Sequence, residues 1–357
     1  MQLKQVESLC RGVRPILTEG RRDRMKKILS TNEFLVALII IVLSIIIGSK
    51  NSVFFTAGNL IDLLRSGIVM GIFAIGVLIV IVSGGIDVSF TAIASFCMYT
   101  TTKVLNYYDF QGSVLIAFVL AGAMGLILGL INATFISFFK LPTLIVTLGT
   151  ASMYSGFLLA FVGVREISNL PAGMSKFAKM NILKVTSENG VVSSLHFSIL
   201  ILIAVVIITW LLLRYTMLGR GIYAIGGDRV AAERAGFNIT AIQFFIYGFV
   251  GLLSGIAGIV HTTLMRNSNP VNLLGMELIV IAAVVLGGAR ITGGHGTVLG
   301  TLLGLFLVII MNNSLILLGV PSYWQRLVIG ILILIGTGAT AYRTMRSSRQ
   351  LHRNSVG

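Results

Sequence analysis

Long apolar runs alternate with short polar breaks along almost the whole chain. Ten of these runs approach the length of a bilayer-spanning helix, which needs roughly 20 mostly apolar residues. They fall at Phe34–Gly48, Ile68–Val82, Val88–Leu105, Ser113–Phe139, Thr143–Val162, Leu195–Leu213, Ile242–His261, Met276–Leu286, Thr297–Leu318 and Tyr323–Ala341. The polar stretches between them differ in kind. Asn51–Asn59 carries Phe54 and Phe55, aromatic residues suited to a membrane interface. Asp62 and Arg65 stand three apart, a spacing that lets them pair on one helical face. Arg165–Leu195 is a long hydrophilic loop without a strong helical period, and Met265–Leu274 is a polar turn. The longest polar interruption of the second half runs from Leu218 to Gly236, with Arg214 just before it. It holds Arg220, Arg229 and Arg234, offset by Asp228 and Glu233. Within it, Val230–Ala235 reads as a short helix of good helix formers, with Gly236 placed to end it.

Composition sharpens the fold class. Of 357 residues, 56% are hydrophobic and 11% charged, which excludes a soluble domain. The expectation is an all-α polytopic membrane protein of about ten transmembrane helices with glycine-rich helix breaks. The first run follows a basic tail and lacks a small-residue cleavage site, so it reads as an uncleaved span. The net charge of +15 invites a nucleic-acid reading. Its placement argues against one, because much of it crowds segments 1–33 and 342–357, where cytoplasmic positive charge orients membrane proteins. Three parts result: a basic tail 1–33, a membrane domain 34–341 and a basic tail 342–357. Both termini and the polar segment 214–240 are assigned to the cytoplasm, while Arg165–Leu195 and Met265–Leu274 face outward. Cys10 and Cys97 cannot build a disulfide framework and read as inert thiols.

The 40 glycines mark close helix contacts, as small residues do in lipid. Gly122, Gly125 and Gly129 do so in the fourth run, Gly251, Gly255 and Gly258 in the seventh, and Gly296, Gly300 and Gly304 in the ninth. The pairs Gly84-Gly85 and Gly287-Gly288 are different, since each interrupts a run and is soon followed by a charge, Asp87 or Arg290. Irregular backbone at membrane depth survives only inside protein or beside a water-filled cavity, so these breaks either line a path or turn the chain.

Catalytic chemistry is not expected. Gly288–Gly293 has the glycine spacing of a phosphate-cradling loop, but Gly294 and His295 follow where Lys and Ser or Thr are needed. His196, His261, His295 and His352 are scattered, giving no metal cluster, and no carboxylate pair is set up for acid–base work. The acidic candidates for ion coupling, Asp62, Asp87 and Glu277, sit near run ends, which points to energy arriving from outside the chain. Asp87, Asn132, Thr147, Asn312 and Asn313 are the polar groups at or near span interiors. They suit either hydroxyl contacts in a translocation pathway or satisfaction of broken backbone, and Asp87 leans to the second role.

A family resemblance enters with four stretches in order. Ala231-Ala232, three residues and Gly236 resembles the cytoplasmic Glu-Ala-Ala loop of ABC importer permeases, with Val230 where the glutamate usually stands. Its lead-in from Gly219-Arg220-Gly221 to Gly226-Gly227 is similar to the loop of the ribose-type sugar permeases. So are Ser83–Ser89, Leu141-Pro142 through Thr147–Thr150, and Glu277 through Gly287-Gly288 into Gly293–Gly296. Phe90-Thr91 and Ala289-Arg290 depart from that pattern, which usually has small uncharged residues there. The resemblance spans roughly Asn59 to Gly338. It implies a bacterial inner-membrane permease subunit for a ribose, galactose or autoinducer-2-type solute. It further implies a second permease copy, cytoplasmic ATPase subunits carrying ATP and Mg, and an extracytoplasmic substrate-binding protein. The chain itself then needs no cofactor, and its coupling residues are Gly219, Arg220, Val230, Ala231, Ala232, Glu233 and Gly236. A branched-chain amino-acid permease and a self-contained ion-coupled transporter are the competing readings.

Overall fold

A computed structural model describes residues 32–186, 190 and 192–317, with isolated positions 324, 327, 330, 331 and 338. The tenth run therefore falls almost entirely outside the described residues, as do the two basic tails apart from Asn32 and Glu33.

The chain is an all-α polytopic membrane protein carrying one small hairpin. Helix α1 is Asn32–Lys50, α2 Ala57–Val82, α3 Phe90–Tyr107, α4 Val114–Ser137 and α5 Thr143–Phe157, the last continued by a wide turn over Leu158–Val162. The hydrophilic loop holds a short α6, Ala172–Phe177, and strands β1, Asn181–Thr186, and β2, Val192–His196. Helix α7 is Ile199–Tyr215, α8 Met217–Gly227, α9 Arg229–Arg234, α10 Ile239–Met265, α11 Glu277–Leu286 and α12 Val298–Leu317. Among the described residues, six helices are long and apolar enough to cross a membrane, and the α7–α8 pair, bent by 75°, makes a seventh.

Burial explains why these helices differ in composition. Helix α2, with α3 and α10, forms the centre of the bundle, and Ile68, Ile72, Ile75, Leu78 and Ile79 on α2 are fully enclosed. Helix α3 is rich in Thr and Ser because neighbouring helices surround it almost completely. Helices α1, α4, α5 and α7 turn Leu, Ile and Phe outward, as a lipid-facing layer must.

The tightest helix pair, α4 with α10, is joined by the expected glycines. A Cβ added to Gly125 would lie 2.1 Å from the Gly251 carbonyl oxygen, and one on Gly255 would lie 2.1 Å from that of Ala121. Only the missing side chains let these backbones touch, the device by which helices associate without a hydrophobic drive in lipid. Gly300 and Gly304 pack α12 against Gly287 and Ala283 of α11 in the same way.

At one end of the bundle lies the hairpin. Its strands pair antiparallel, and Ser193 donates a hydrogen bond of 3.1 Å to the Asp62 carboxylate at the start of α2. The Asp62–Arg65 pair read from spacing does not form. Arg65 instead donates to the Leu264 carbonyl, so two tertiary partners outcompete the local one. The long loop also differs from expectation, because an α6 turn and the hairpin organise it. Phe54 is buried while Phe55 is exposed, so the two aromatics divide between core and surface. At the other end, Glu33 of α1 accepts a hydrogen bond of 2.9 Å from Thr297, just before α12.

Candidate coupling site and translocation path

Three helix caps build the segment that the sequence marks as a polar loop. Thr216 accepts from the Gly219 amide at 3.0 Å and starts α8. Asp228 accepts from the Val230 and Ala231 amides at 2.9 and 3.1 Å and starts α9, while Asn238 accepts from the Ala241 amide and starts α10. Such caps satisfy the free N–H groups of a helix start and are each worth about 1 kcal/mol. The expected Val230–Ala235 helix is thus present one residue earlier, as α9. Residues 217–227, read as loop, form a second helix, because their glycines serve close contact. Gly219 is buried where α7 folds over into α8, and a Cβ there would meet the Leu212 carbonyl oxygen at 2.4 Å.

Arg220, Val230, Ala231 and Glu233 face outward from this segment, whereas Ala232 packs into the chain's own core. Gly236 follows α9 with φ +86° and open space around it. That left-handed conformation suits glycine and reverses the chain into α10.

The far end of α8 touches both helix breaks. A Cβ on Gly226 would sit 1.8 Å from the Val82 carbonyl oxygen and 2.5 Å from the Gly294 amide nitrogen. The Gly294 amide donates to the Val82 carbonyl at 2.8 Å. Tyr223, also on α8, donates to the Gly296 carbonyl at 2.7 Å. Three chain segments therefore cross backbone against backbone beside α9. A cavity of about 320 Å3 opens at the crossing, lined by Gly84, Thr143, Asp228, Arg229, Gln243 and Tyr247 among others.

The first break, between α2 and α3, is tied down by side chains. Ile86 donates its amide to Thr143 at 3.0 Å, and Val88 donates to Thr147 at 3.3 Å. The Thr147 hydroxyl sits 3.3 Å from the Ile86 carbonyl oxygen. Asp87 is enclosed and accepts from both the amide and the hydroxyl of Ser89, each at 2.7 Å. Asn132 of α4 donates to the same hydroxyl at 2.7 Å. Asp87, Asn132 and Thr147 are thus brought together, with Gly84 supplying the turn at φ +82°. Asn312 and Asn313 stand apart from this network, half-buried on α12.

The second break, between α11 and α12, is held mainly by its own backbone. The Arg290 amide donates to the His295 carbonyl and the Gly293 amide to that of Arg290, both at 2.9 Å. Gly287 is pressed against Gly300, and Gly288 turns the chain at φ +98°. Arg290, Ile291 and His295 are exposed.

One contact escaped the sequence reading. Thr91, in the first turn of α3, donates to Glu277 Oε2 at 3.0 Å, joining the starts of α3 and α11. The two residues are 186 positions apart, and no local pattern links them.

A multi-pass bundle with two broken spans clasped to a short exposed helix is the architecture of a transport permease. The chain belongs to the family described as the branched-chain amino acid transport system permease component, which matches residues 59–336. It is 31% identical to the ribose import permease protein RbsC of Escherichia coli K12 over 317 residues, covering 88% of this chain and 95% of that one. Against the RbsC of Bacillus subtilis the identity is 34% over 296 residues, 82% of this chain and 88% of the relative. The autoinducer 2 import system permease protein LsrC of Salmonella choleraesuis is 28% identical over 312 residues, 87% and 86% of the two chains. No solved structure matches. The chain is accordingly a transport subunit of the membrane.

Proposed function

We propose that this chain forms the translocation pathway of an ATP-binding cassette importer for a sugar or sugar-like solute, with ATP and Mg handled by a separate cytoplasmic ATPase. The observation that carries the reading is the backbone crossing at Gly226, which ties the exposed helix α9 to both broken spans. A push on α9 from the cytoplasm would reach both breaks without passing through flexible side chains. On this reading α9, both termini and residues 214–240 face the cytoplasm of a bacterial inner membrane. The hairpin end receives a substrate-binding protein, and a second permease copy completes the path. The coupling residues are Gly219, Arg220, Val230, Ala231, Ala232, Glu233 and Gly236. Val230 and Ala231 meet the ATPase, while Ala232 seats α9 on its own bundle. Gly84, Gly85, Gly287 and Gly288 are the path's helix breaks, Asn312 and Asn313 its polar lining, and the enclosed Asp87, Asn132 and Thr147 hold the first break in shape behind it.

The names carried by the relatives support a sugar over a branched-chain amino acid. The experiment is uptake into proteoliposomes holding the permease, its ATPase and its binding protein, with D-ribose and D-galactose as probes. ATP-dependent uptake is expected, and it should collapse in Val230→Asp and Ala231→Glu while the chain stays folded. Uptake driven by an ion gradient without the ATPase, or wild-type uptake in both variants, overturns the reading.

A further inference from the structure

Glu277 opens α11, a helix of ten residues and so about 15 Å long, half of a hydrocarbon core. Its depth follows from the glycine contacts. Gly287 packs on Gly300, and Ala283 on Gly304, so α11 and α12 run antiparallel in a fixed register. Carried back to Glu277, that register sets it level with Ile310, in the middle third of Val298–Leu317. A carboxylate at such depth is costly and conspicuous, and polar groups there mark solute or ion routes more often than not.

Its surroundings are asymmetric. Oε2 accepts from Thr91 at 3.0 Å and from the Gly275 amide at 2.9 Å, both uncharged. Oε1 has no hydrogen-bond partner among the described residues, and the side chain is half-buried. Gly275 and Leu278 beside it are open, Leu278 to 70% of its surface. Asp87, three residues before the same α3 start, is the opposite case, because it is fully enclosed with Ser89 and has no face to offer a solute. The positive ends of α3 and α11 meet here, and the chain fills that place with its own negative group, which those ends help to tolerate.

We infer that Glu277 is a specificity-determining residue of the path: its free oxygen accepts hydroxyl hydrogens from a neutral polyol, and its charge turns away solutes bearing a carboxylate. The inference rests on the sugar reading above and narrows its substrate class to uncharged sugars.

The test is saturation-transfer NMR on the purified permease–ATPase complex without binding protein, so that only this chain's own selectivity is read. The probes are D-ribose and D-galactose against the matching aldonates, D-ribonate and D-galactonate. Wild type should favour the sugars by roughly tenfold or more, since a factor of ten is only about 1.4 kcal/mol and two unit charges a few ångströms apart in a half-buried site repel by more. Glu277→Gln keeps the acceptor for Thr91 and should bring sugar and aldonate within about twofold. Thr91→Val removes the structural contact but leaves the charge, so discrimination should persist. Equal wild-type binding of sugar and aldonate, or undiminished discrimination in Glu277→Gln, overturns the inference while leaving the sugar reading intact. Absence of a signal from either sugar removes the sugar reading, and this inference with it.

Discussion

The two helix breaks do similar topological work by different means. In the first, the amides of Ile86 and Val88 and the carbonyl of Ile86 find hydroxyls on α5, and Ser89 is held by Asp87 and Asn132. In the second, Arg290, Gly293 and His295 satisfy one another within the loop, and four of its side chains face outward. A break tied to other helices can move only if they move. A break tied to itself can travel as a unit. The first break is thus bound to a neighbouring helix along its length, whereas the second is bound outside itself mainly where Gly294 meets Val82 and where Tyr223 and Gly226 of α8 bear on it.

The largest disruption expected is at that shared point. Gly226→Val places new carbon against the Val82 carbonyl and the Gly294 amide at once. ATP-driven uptake should fall by more than about tenfold, because forced overlap in a packed site costs about 1–3 kcal/mol and must part the breaks to be relieved. Full uptake in this variant would mean that the two breaks are not jointly driven.

Next comes the first break. Asp87→Ala leaves the enclosed Ser89 amide without its acceptor, a loss of about 1–3 kcal/mol, read as a lower unfolding midpoint in detergent micelles. Asp87→Asn keeps an acceptor and should recover most of it.

The second break should be more forgiving. His295→Ala removes one part-buried side-chain contact, to the Gly288 carbonyl at 3.2 Å, and should cost less than about 1 kcal/mol. If His295→Ala proved as damaging as Asp87→Ala, the distinction between the breaks would collapse.

The smallest effect is at the hairpin end, a control for both breaks. His196 is buried, accepts from the Ser198 amide at Nδ1 and contacts the Phe177 carbonyl through Nε2. Burial holds its imidazole below the ordinary value. The unfolded chain therefore binds the proton more readily, and stability is retained above the ordinary imidazole pKa of about 6.5. It is lost as pH falls from there toward the depressed folded value. Hydrogen exchange should show the hairpin loosening in mild acid, with both breaks unchanged, and His196→Gln should flatten that dependence.

Much of this was legible from residue pattern. Spans two, four, five, seven and nine start or end within a few residues of their apolar runs, because lipid contact and the need to bury backbone leave few alternatives. The glycine spacing at Gly125, Gly251 and Gly300 likewise predicted where helices touch. Helix α8 was hidden for the opposite reason. Gly219, Gly221, Gly226 and Gly227 read as loop, since isolated glycine weakens a helix, and only tertiary contact reveals that the first three are there for closeness. The Thr216 and Asp228 caps were the available signal. The hairpin was masked by polar residues such as Lys184 and Ser194 that pair across it. Within the site, Asp87, Asn132 and Thr147 were found by their polarity. Glu277 was noted but not placed in the path, since its partner lies on a helix distant in sequence.

The hydrogen bond from Thr297 to Glu33 has a further effect. Helix α1 is the least enclosed of the spanning helices, with 11% of its residues buried, and it is held chiefly along one face, against α12. Its first turn is nonetheless anchored where the second break hands over to α12. A thinner or thicker bilayer that re-tilts α1 would thus be felt at the second break through this bond and through the packing of Val36 on Leu307 and Met311, so uptake rates should depend on acyl-chain length.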